Sequence, residues 1–270
     1  MKTEVINLKK FYPLKNDVFL RCYVTQIMDC NEQKPALIIV PGGGYQFVSE
    51  READPIAFSF LLKNYNCFIL YYSVNPNPIN EPLYPQPHLE LIATMDYIKK
   101  HCKQYQIVEN QIFMIGFSAG AHLVGSFSYL YKNKELIESL KIADYSSLRP
   151  TAICLSYPVI TMGKSTHYGS KQVLTNDDKK LIDLLSIENH ITNDYPPTFL
   201  WTTQDDAIVP YENTLMMHNA LEKANIKNEM YIYPHGPHGL SIATKLVCPE
   251  EYKDIEGWVD KCDSFFKKFM

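Results

Sequence analysis

Ser118 is the centre of a Gly-x-Ser-x-Gly pentapeptide that runs from Gly116 to Gly120. Residues 112–115 before it are β-prone, and residues 121–125 after it are compatible with a helix. A serine on a sharp turn between a strand and a helix presents its hydroxyl, and glycine two positions to either side avoids collisions with both elements. This pattern is typical of a nucleophile elbow, so Ser118 is the candidate nucleophile.

A nucleophilic serine needs a base, and the base needs an acid that orients it. Two aspartates, Asp205 and Asp206, follow the predicted strand 198–203 and precede a helix that begins near Pro210. The carboxyl ends of parallel strands are where sites form in α/β sheets. Ordinary turn or N-cap chemistry also accounts for acidic residues in such a place, so the pair alone does not establish a catalytic acid.

Two histidines, His235 and His238, occupy the Gly- and Pro-rich loop after the next predicted strand, 229–233. Taken alone, they are consistent with a loop that is merely polar. The order along the chain is serine, acid, histidine, which is the order that enzymes with such an elbow use. Because both loops follow consecutive strands behind the elbow, we expect an acid and a histidine to form a triad with Ser118.

Residues 41–45, Pro-Gly-Gly-Gly-Tyr, directly follow the predicted strand 36–40. Consecutive glycines let the backbone approach a substrate closely, and backbone N–H groups there can stabilise the oxyanion of an acyl-transfer intermediate. The N–H of Ala119, the residue after the nucleophile, is the expected second donor. A phosphate cradle is the rival interpretation, but the chain has neither a Gly-x-Gly-x-x-Gly fingerprint nor the Lys-Ser/Thr of a P-loop.

The remaining patterns place these loops on alternating strands and helices. Strands are predicted at 18–25, 36–40, 67–74, 112–115, 152–157, 198–203 and 229–233, and helices at 54–64, 88–105, 211–225 and 250–269. Such alternation predicts an α/β fold with a mostly parallel sheet and helices on both faces. The chain has no repeat or Gly/Ser linker, so residues 1–270 are expected to form a single domain.

Composition limits the partners. The chain has 270 residues, is 46% hydrophobic and carries a formal charge of −4, so neither nucleic acid nor an anionic membrane is an expected partner, and a small neutral substrate is favoured. The N-terminal residues lack an apolar signal-like run, and no later run approaches the roughly 18 residues that span a bilayer. We therefore expect a cytoplasmic protein. Its seven scattered cysteines are expected to be buried free thiols.

The chain resembles an α/β-hydrolase of the esterase/lipase group, and within it the carbohydrate acetyl-esterase branch (acetyl-xylan or sugar esterases). The resemblance extends from about residue 35 to about residue 243 and rests on residues 41–45, 49–52, 54–57, 72–74, 116–122, 156–161, 196–201 and 236–239. It implies that Ser118 is the nucleophile, Asp206 the acid and His238 the base. Asp206 is preferred because the family's acid lies four residues before a Val-Pro proline, and His238 because the family's histidine precedes the last glycine of its loop.

The chain departs from many of these relatives at the oxyanion loop, where Pro41 replaces a histidine. The hydrogen bond by which that histidine orients the loop is then missing, and Gly43 and Gly44 are the predicted donors beside Ala119. Tyr45 either lines the acyl or sugar pocket or closes the core.

Polar residues 161–195, between two predicted strands, are expected to form a small cap, from which His167 contacts the substrate. His122, one helical turn after the elbow, is expected to pack locally. His88, His101, His190 and His218 lack metal-ligand spacing, so no metal site is expected.

These patterns together predict a serine hydrolase that cleaves short-acyl esters through an acyl-enzyme and without a cofactor, and the resemblance implies that the esters are those of sugars or xylo-oligosaccharides. Two alternatives stay open. One is an amidase or peptidase of the formamidase or dipeptidyl-peptidase type, because the same triad cleaves esters, amides and thioesters. The other is a non-catalytic binding protein on a hydrolase scaffold. The patterns leave a homo-oligomeric state open as well.

Overall fold

A computed structural model of the chain describes residues 1–25, 32–77 and 81–270. Within these residues, eight strands form one sheet. In chain order they are β1 (Lys2–Asn7), β2 (Phe19–Val24), β3 (Lys34–Val40), β4 (Asn66–Tyr71), β5 (Ile107–Phe117), β6 (Ile153–Ser156), β7 (Thr198–Thr203) and β8 (Asn228–Tyr233).

The sheet order is β1-β2-β4-β3-β5-β6-β7-β8. The pairs β1/β2 and β2/β4 are antiparallel, and every other pair is parallel. The predicted mostly parallel sheet is therefore confirmed. Its parallel part brings the carboxyl ends of β3, β5, β6, β7 and β8 to one edge, which is where the candidate site residues of the sequence lie.

Helices cover both faces of the sheet, as predicted. In the described part of the chain they are α1 (Asp54–Leu61), α2 (Gln86–Lys100), α3 (Ala119–Leu130), α4 (Lys134–Leu140), α5 (Tyr168–Thr175), α6 (Lys179–Leu185), α7 (Glu212–Lys223), α8 (Lys253–Glu256) and α9 (Trp258–Lys267). Helices α2, α3 and α7 pack on one face, and α1 and α9 on the other.

The two cores follow from the alternation of side chains along each strand. In β3, Ile38 and Val40 face one core, while Leu37 and Ile39 face the other. All four are fully buried. The central strands therefore read in the sequence as continuous apolar runs, because helices cover them from both sides.

Strand β1 and helices α4, α5 and α6 escaped the sequence patterns, and one predicted helix is divided. Strand β1 is an edge strand with exposed polar residues and no apolar alternation, and α4 is only seven residues long. The predicted helix 250–269 consists of α8 and α9, which are separated at Gly257. Glycine weakens a helix interior because it loses more backbone freedom than other residues.

The cysteines and helices also bear on the expectations from composition. Six cysteines in the described ranges are unpaired and buried, while Cys30 lies outside the described residues. Among the helices that the structure describes, none is both long and apolar enough to cross a membrane.

Candidate active site

Ser118 lies on the turn between β5 and α3, with φ 53° and ψ −116°. A Cβ at Gly116 would lie 2.4 Å from the Gly120 carbonyl oxygen, and a Cβ at Gly120 would lie 2.2 Å from the Val40 carbonyl oxygen. Both obstacles are backbone atoms, which cannot move aside as a side-chain end can. The two glycines are therefore required for the tight passage from strand to helix, and the strained turn holds the Ser118 hydroxyl beyond the edge of the sheet.

The structure brings Ser118, His238 and Asp206 together, although they lie on three different loops. His238 Nε2 is 2.8 Å from Ser118 Oγ, and His238 Nδ1 is 2.6 Å from Asp206 Oδ2. When Nδ1 carries the hydrogen and its N–H donates a hydrogen bond to the carboxylate, the lone pair of Nε2 faces the serine hydroxyl. The arrangement can thus remove the hydroxyl proton as the oxygen attacks an electrophilic carbon.

Asp206 is fixed by the backbone that follows it. Its Oδ1 accepts hydrogen bonds from the N–H groups of Ile208 and Val209, each at 2.9 Å. The Asp206 side chain is 1% exposed, and that of His238 is 15% exposed. Three donors therefore surround a buried carboxylate and fix its direction toward the histidine.

Asp205 and His235 form a separate pair at the surface. Their side chains are 52% and 83% exposed, and Asp205 Oδ2 lies 3.2 Å from His235 Nδ1. Asp205 Oδ1 accepts from the Gly236 N–H at 2.7 Å, and this hydrogen bond lowers the pKa of Asp205. The pair ties the acid loop to the histidine loop and makes no contact with Ser118.

Glu52 is a site residue for which the sequence analysis gave no role. This carboxylate is 3% exposed, and it accepts hydrogen bonds from the Gly42 N–H and the Tyr157 hydroxyl, both at 2.7 Å. The Tyr157 oxygen in turn accepts from the Ser241 N–H at 3.0 Å. Burial raises the pKa of Glu52, while these two donors lower it. The contacts connect the Gly-rich loop to the loop after β6. Glu52 therefore holds the Gly-rich loop by hydrogen bonds, which the proline at position 41 cannot do in place of the relatives' histidine.

Because Glu52 binds one N–H group of the Gly-rich loop, the N–H groups of this loop differ in whether they are available as oxyanion donors. The Gly42 N–H is used by Glu52. Gly43 and Gly44 have φ of 123° and 63°, and a Cβ at Gly43 would lie 2.0 Å from the Phe47 carbonyl oxygen. Within the described residues their N–H groups have no acceptor, and the Ala119 N–H, at the first position of α3, has no intrahelical one. Gly43, Gly44 and Ala119 thus stay the predicted oxyanion donors.

A cleft of about 310 Å³ opens above the serine. It is lined by, among others, Gly43, Gly44, Ser118, His167, Gly169 and His238. His167 and Gly169 come from the segment 161–195, which contains α5 and α6. A larger depression of about 570 Å³ lies behind the histidine loop, near Tyr252, and does not contain the serine. We assign the chemistry to the smaller cleft because it holds the nucleophile and the base.

His167 has a structural role in addition to its place in the cleft. It is the N-cap residue of α5, and its Nδ1 lies 2.8 Å from Ser170 Oγ and accepts from the Ser170 N–H at 3.2 Å. Burial lowers the pKa of His167. The ring is therefore held as a neutral group on the cleft wall, and its contact with a substrate stays a prediction.

Tyr45 lies in the core and does not line the cleft, so of the two roles that the sequence left open, substrate binding and closure of the core, the structure shows the second. It is fully buried, and its hydroxyl lies 2.7 Å from His122 Nδ1. His122 Nε2 lies 2.8 Å from the Leu185 carbonyl oxygen. Burial lowers the pKa of His122 to about 4, so the ring is neutral and accepts from the Tyr45 hydroxyl. Tyr45 and His122 therefore belong to the core next to the elbow and do not line the cleft.

The sequence profile of the BD-FAE family matches residues 24–221. The chain belongs to the BD-FAE family of α/β-hydrolases. The matched segment includes the Gly-rich loop, the elbow and Asp206, while His238 lies beyond it.

Individual relatives agree with this membership. The chain is 32% identical over 213 residues to endo-1,4-beta-xylanase B of Butyrivibrio fibrisolvens, covering 78% of this chain and 33% of that protein. It is 28% identical over 241 residues to an acetylxylan esterase of Xylanibacter ruminicola, covering 85% of this chain and 46% of that protein. The chain thus spans less than half the length of these two relatives.

The fold is similar to that of a solved structure over nearly the whole chain. An acetyl ester-xyloside bifunctional hydrolase from Caldicellulosiruptor lactoaceticus superposes with a TM-score of 0.82 at 31% identity, covering 98% of this chain and 96% of that one. The predicted α/β-hydrolase fold and the resemblance to carbohydrate acetyl-esterases are confirmed.

Proposed function

We propose that this chain is a serine esterase that hydrolyses short-acyl esters, acetyl esters of sugars foremost, through an acyl-enzyme. The observation that carries the proposal is the unbroken hydrogen-bond chain from Ser118 through His238 to Asp206, at a cleft whose rim presents free N–H groups. The names of the relatives, an acetylxylan esterase and an acetyl ester-xyloside hydrolase, support the acetyl group.

In the first step, Ser118 Oγ attacks the ester carbonyl carbon while its proton moves to His238 Nε2. The carbonyl oxygen becomes an oxyanion, and the N–H groups of Gly43, Gly44 and Ala119 stabilise it. Asp206, which accepts the hydrogen bond from Nδ1–H without taking the proton, stabilises the imidazolium that forms. The carbon–oxygen bond to the alcohol then breaks, and the alcohol leaves with the proton from Nε2.

In the second step, water enters the position that the alcohol has left. His238 Nε2 takes one proton from the water as its oxygen attacks the acyl carbon. The second oxyanion collapses, the bond to Ser118 breaks, and the proton returns from His238 to the serine oxygen. The acid is released and the enzyme regains its starting state.

The cleft favours a short acyl chain. Its volume of about 310 Å³ must hold both parts of the ester. The large apolar side chains that line it, Phe47 and Ile208, are 60% and 52% exposed, so they form a rim and not a buried channel. Each methylene that is buried contributes about 0.8 kcal/mol, and a chain that stays in water gains none of it.

Esters with acyl groups of two to four carbons should therefore be hydrolysed with higher kcat/KM than octanoyl and longer esters. The measurement is kcat/KM for 4-nitrophenyl esters with acyl chains of two to twelve carbons. The matched control is 4-nitroacetanilide, which has the same acyl group on an amide and tests the amidase alternative. A kcat/KM that rises steadily with chain length contradicts the short-acyl proposal, and faster cleavage of the anilide contradicts the esterase proposal.

Glu52→Ala should lower kcat on the order of 10²-fold, the loss that follows removal of one oxyanion donor, with little change in KM. Without the carboxylate, the Gly42 N–H loses its acceptor and the Gly-rich loop is no longer held. Glu52→Gln should lose less, because its amide oxygen can accept from Gly42 while its NH₂ donates to the Tyr157 oxygen. Steady-state kcat and KM with 4-nitrophenyl acetate give the readout.

Glu50→Ala is the matched control for this prediction. Glu50 is an exposed carboxylate two residues away, and it is bonded to the Tyr71 hydroxyl at 3.2 Å. Its loss should leave kcat near the wild-type value. If Glu52→Ala retains full kcat, or if Glu52→Gln and Glu52→Ala are equally impaired, the loop does not depend on this hydrogen-bond pattern.

A further inference from the structure

Arg51 is an exposed cation on the wall of the cleft that holds Ser118. Its guanidinium makes no direct salt bridge or hydrogen bond with the residues that the structure describes, although its charge lowers the pKa of the adjacent Glu52. The adjacent carboxylate of Glu52 is already occupied by its two donors, the Gly42 N–H and the Tyr157 hydroxyl. The five N–H donors of Arg51 are therefore available to a ligand, and their planar fork matches a carboxylate.

Ser49 and Gln46 lie on the same wall. Ser49 is only 8% exposed, yet its hydroxyl has no hydrogen-bond partner among the described residues, and the Ser49 side chain does not cap the short helix that follows. The Gln46 amide also lacks a partner there. The Ser49 oxygen still reaches solvent, because it is not among the fully buried polar atoms of the described residues that lack a partner, so it is open to a ligand. The segment 46–51 thus presents to the same cleft three polar side chains that no other described residue engages.

The position of Arg51 indicates which part of an ester it faces. A Cβ at Gly239 would lie 3.0 Å from Arg51 Nη2, so the guanidinium is beside the residue that follows His238. His238 Nε2 delivers the proton to the departing alcohol. Arg51 therefore lies on the side of the base, where the alcohol part of the ester leaves.

We propose that Arg51, with Ser49 and Gln46, forms a subsite for a carboxylate on the alcohol part of the substrate. The substrate class is then an acyl ester of a hydroxy acid or of an acidic sugar. The inference rests on the proposed esterase function and narrows its substrate. It differs from the neutral substrate that the net charge of −4 favoured, because the charge of a cleft is set by the few groups that line it and not by the whole chain.

The test compares two aryl acetates that differ in one group, 4-acetoxy-3-nitrobenzoate and 4-acetoxy-3-nitrobenzamide. The wild-type enzyme should show a kcat/KM about tenfold or more higher for the carboxylate, as expected for a charged hydrogen bond. Arg51→Gln should bring the ratio close to one, and Arg51→Glu should invert it. Arg51→Lys should keep part of the preference, because the charge stays while the fork is lost.

Lys245→Gln is the control, because it removes one positive charge outside the cleft, from a side chain that is 71% exposed. It should keep the wild-type ratio. A ratio near one in the wild type, or an equal ratio in wild type and Arg51→Gln, overturns the subsite and leaves the esterase proposal standing. No hydrolysis of either acetate overturns both proposals.

Discussion

Replacement of Ser118 by alanine should lower kcat by about a million-fold, the loss typical of removing such a nucleophile. The change deletes one oxygen, whose only hydrogen-bond partner among the described side chains is His238 Nε2. Alanine has the same Cβ, so the strained φ of 53° costs about the same in both proteins. We therefore expect an intact fold, and kcat with 4-nitrophenyl acetate together with a thermal unfolding curve measures both effects.

The matched control for this variant is Ser128→Ala on the same helix, α3. The Ser128 hydroxyl donates to the Val124 carbonyl oxygen at 2.9 Å and lies outside the cleft. This variant should keep near wild-type kcat. As an independent check, an organophosphonate should label Ser118. Labelling of a different serine, with Ser118 unmodified, would rule out the proposed nucleophile.

Asp206→Asn should lower kcat on the order of 10⁴-fold, the effect of losing control over the histidine tautomer. Asp206 accepts from the histidine on one oxygen and from two N–H groups on the other. An asparagine must turn its NH₂ toward one of these donors. If the NH₂ faces His238, Nδ1 becomes the acceptor and the proton moves to Nε2, so the ring no longer takes a proton from Ser118.

Asp205→Asn is the matched comparison, because it makes the same chemical change at the neighbouring residue. Asp205 is half exposed and bonds to His235 and to the Gly236 N–H at the surface. Its replacement should change kcat by less than about tenfold, as surface substitutions usually do little. The measurement is kcat at a pH where the wild type is fully active. Equal losses in the two variants, or a larger loss at Asp205, would show that Asp206 is not the catalytic acid.

The fold follows from local patterns in the sequence. The apolar runs of β3, β4, β5 and β7 predicted buried strands, and the structure places them at the centre of the sheet. These patterns are readable because each central strand is covered on both faces and needs apolar residues at every position. The edge strand β1 has no such requirement, so its sequence carried no signal.

The elbow is also a local feature. The atoms that require glycine at positions 116 and 120 belong to residues a few positions away or to the neighbouring strand β3. The choice between two aspartates and two histidines is different. The patterns alone left both pairs open, and resemblance to a family favoured Asp206 and His238. The tertiary structure gives the physical reason, since Asp206 is enclosed behind His238 while Asp205 turns to solvent.

Other parts of the site depend on contacts between residues far apart in the chain. Glu52 meets Tyr157 across 105 positions, and Tyr45 meets His122 across 77. No periodicity or short motif records such pairs, because each partner is chosen by the packing of separate loops at the end of the sheet. The sequence by itself determined the sheet, the elbow and the order of the candidate triad. Only the tertiary structure decided that Glu52 holds the Gly-rich loop, that Tyr45 belongs to the core and that Arg51 faces the cleft.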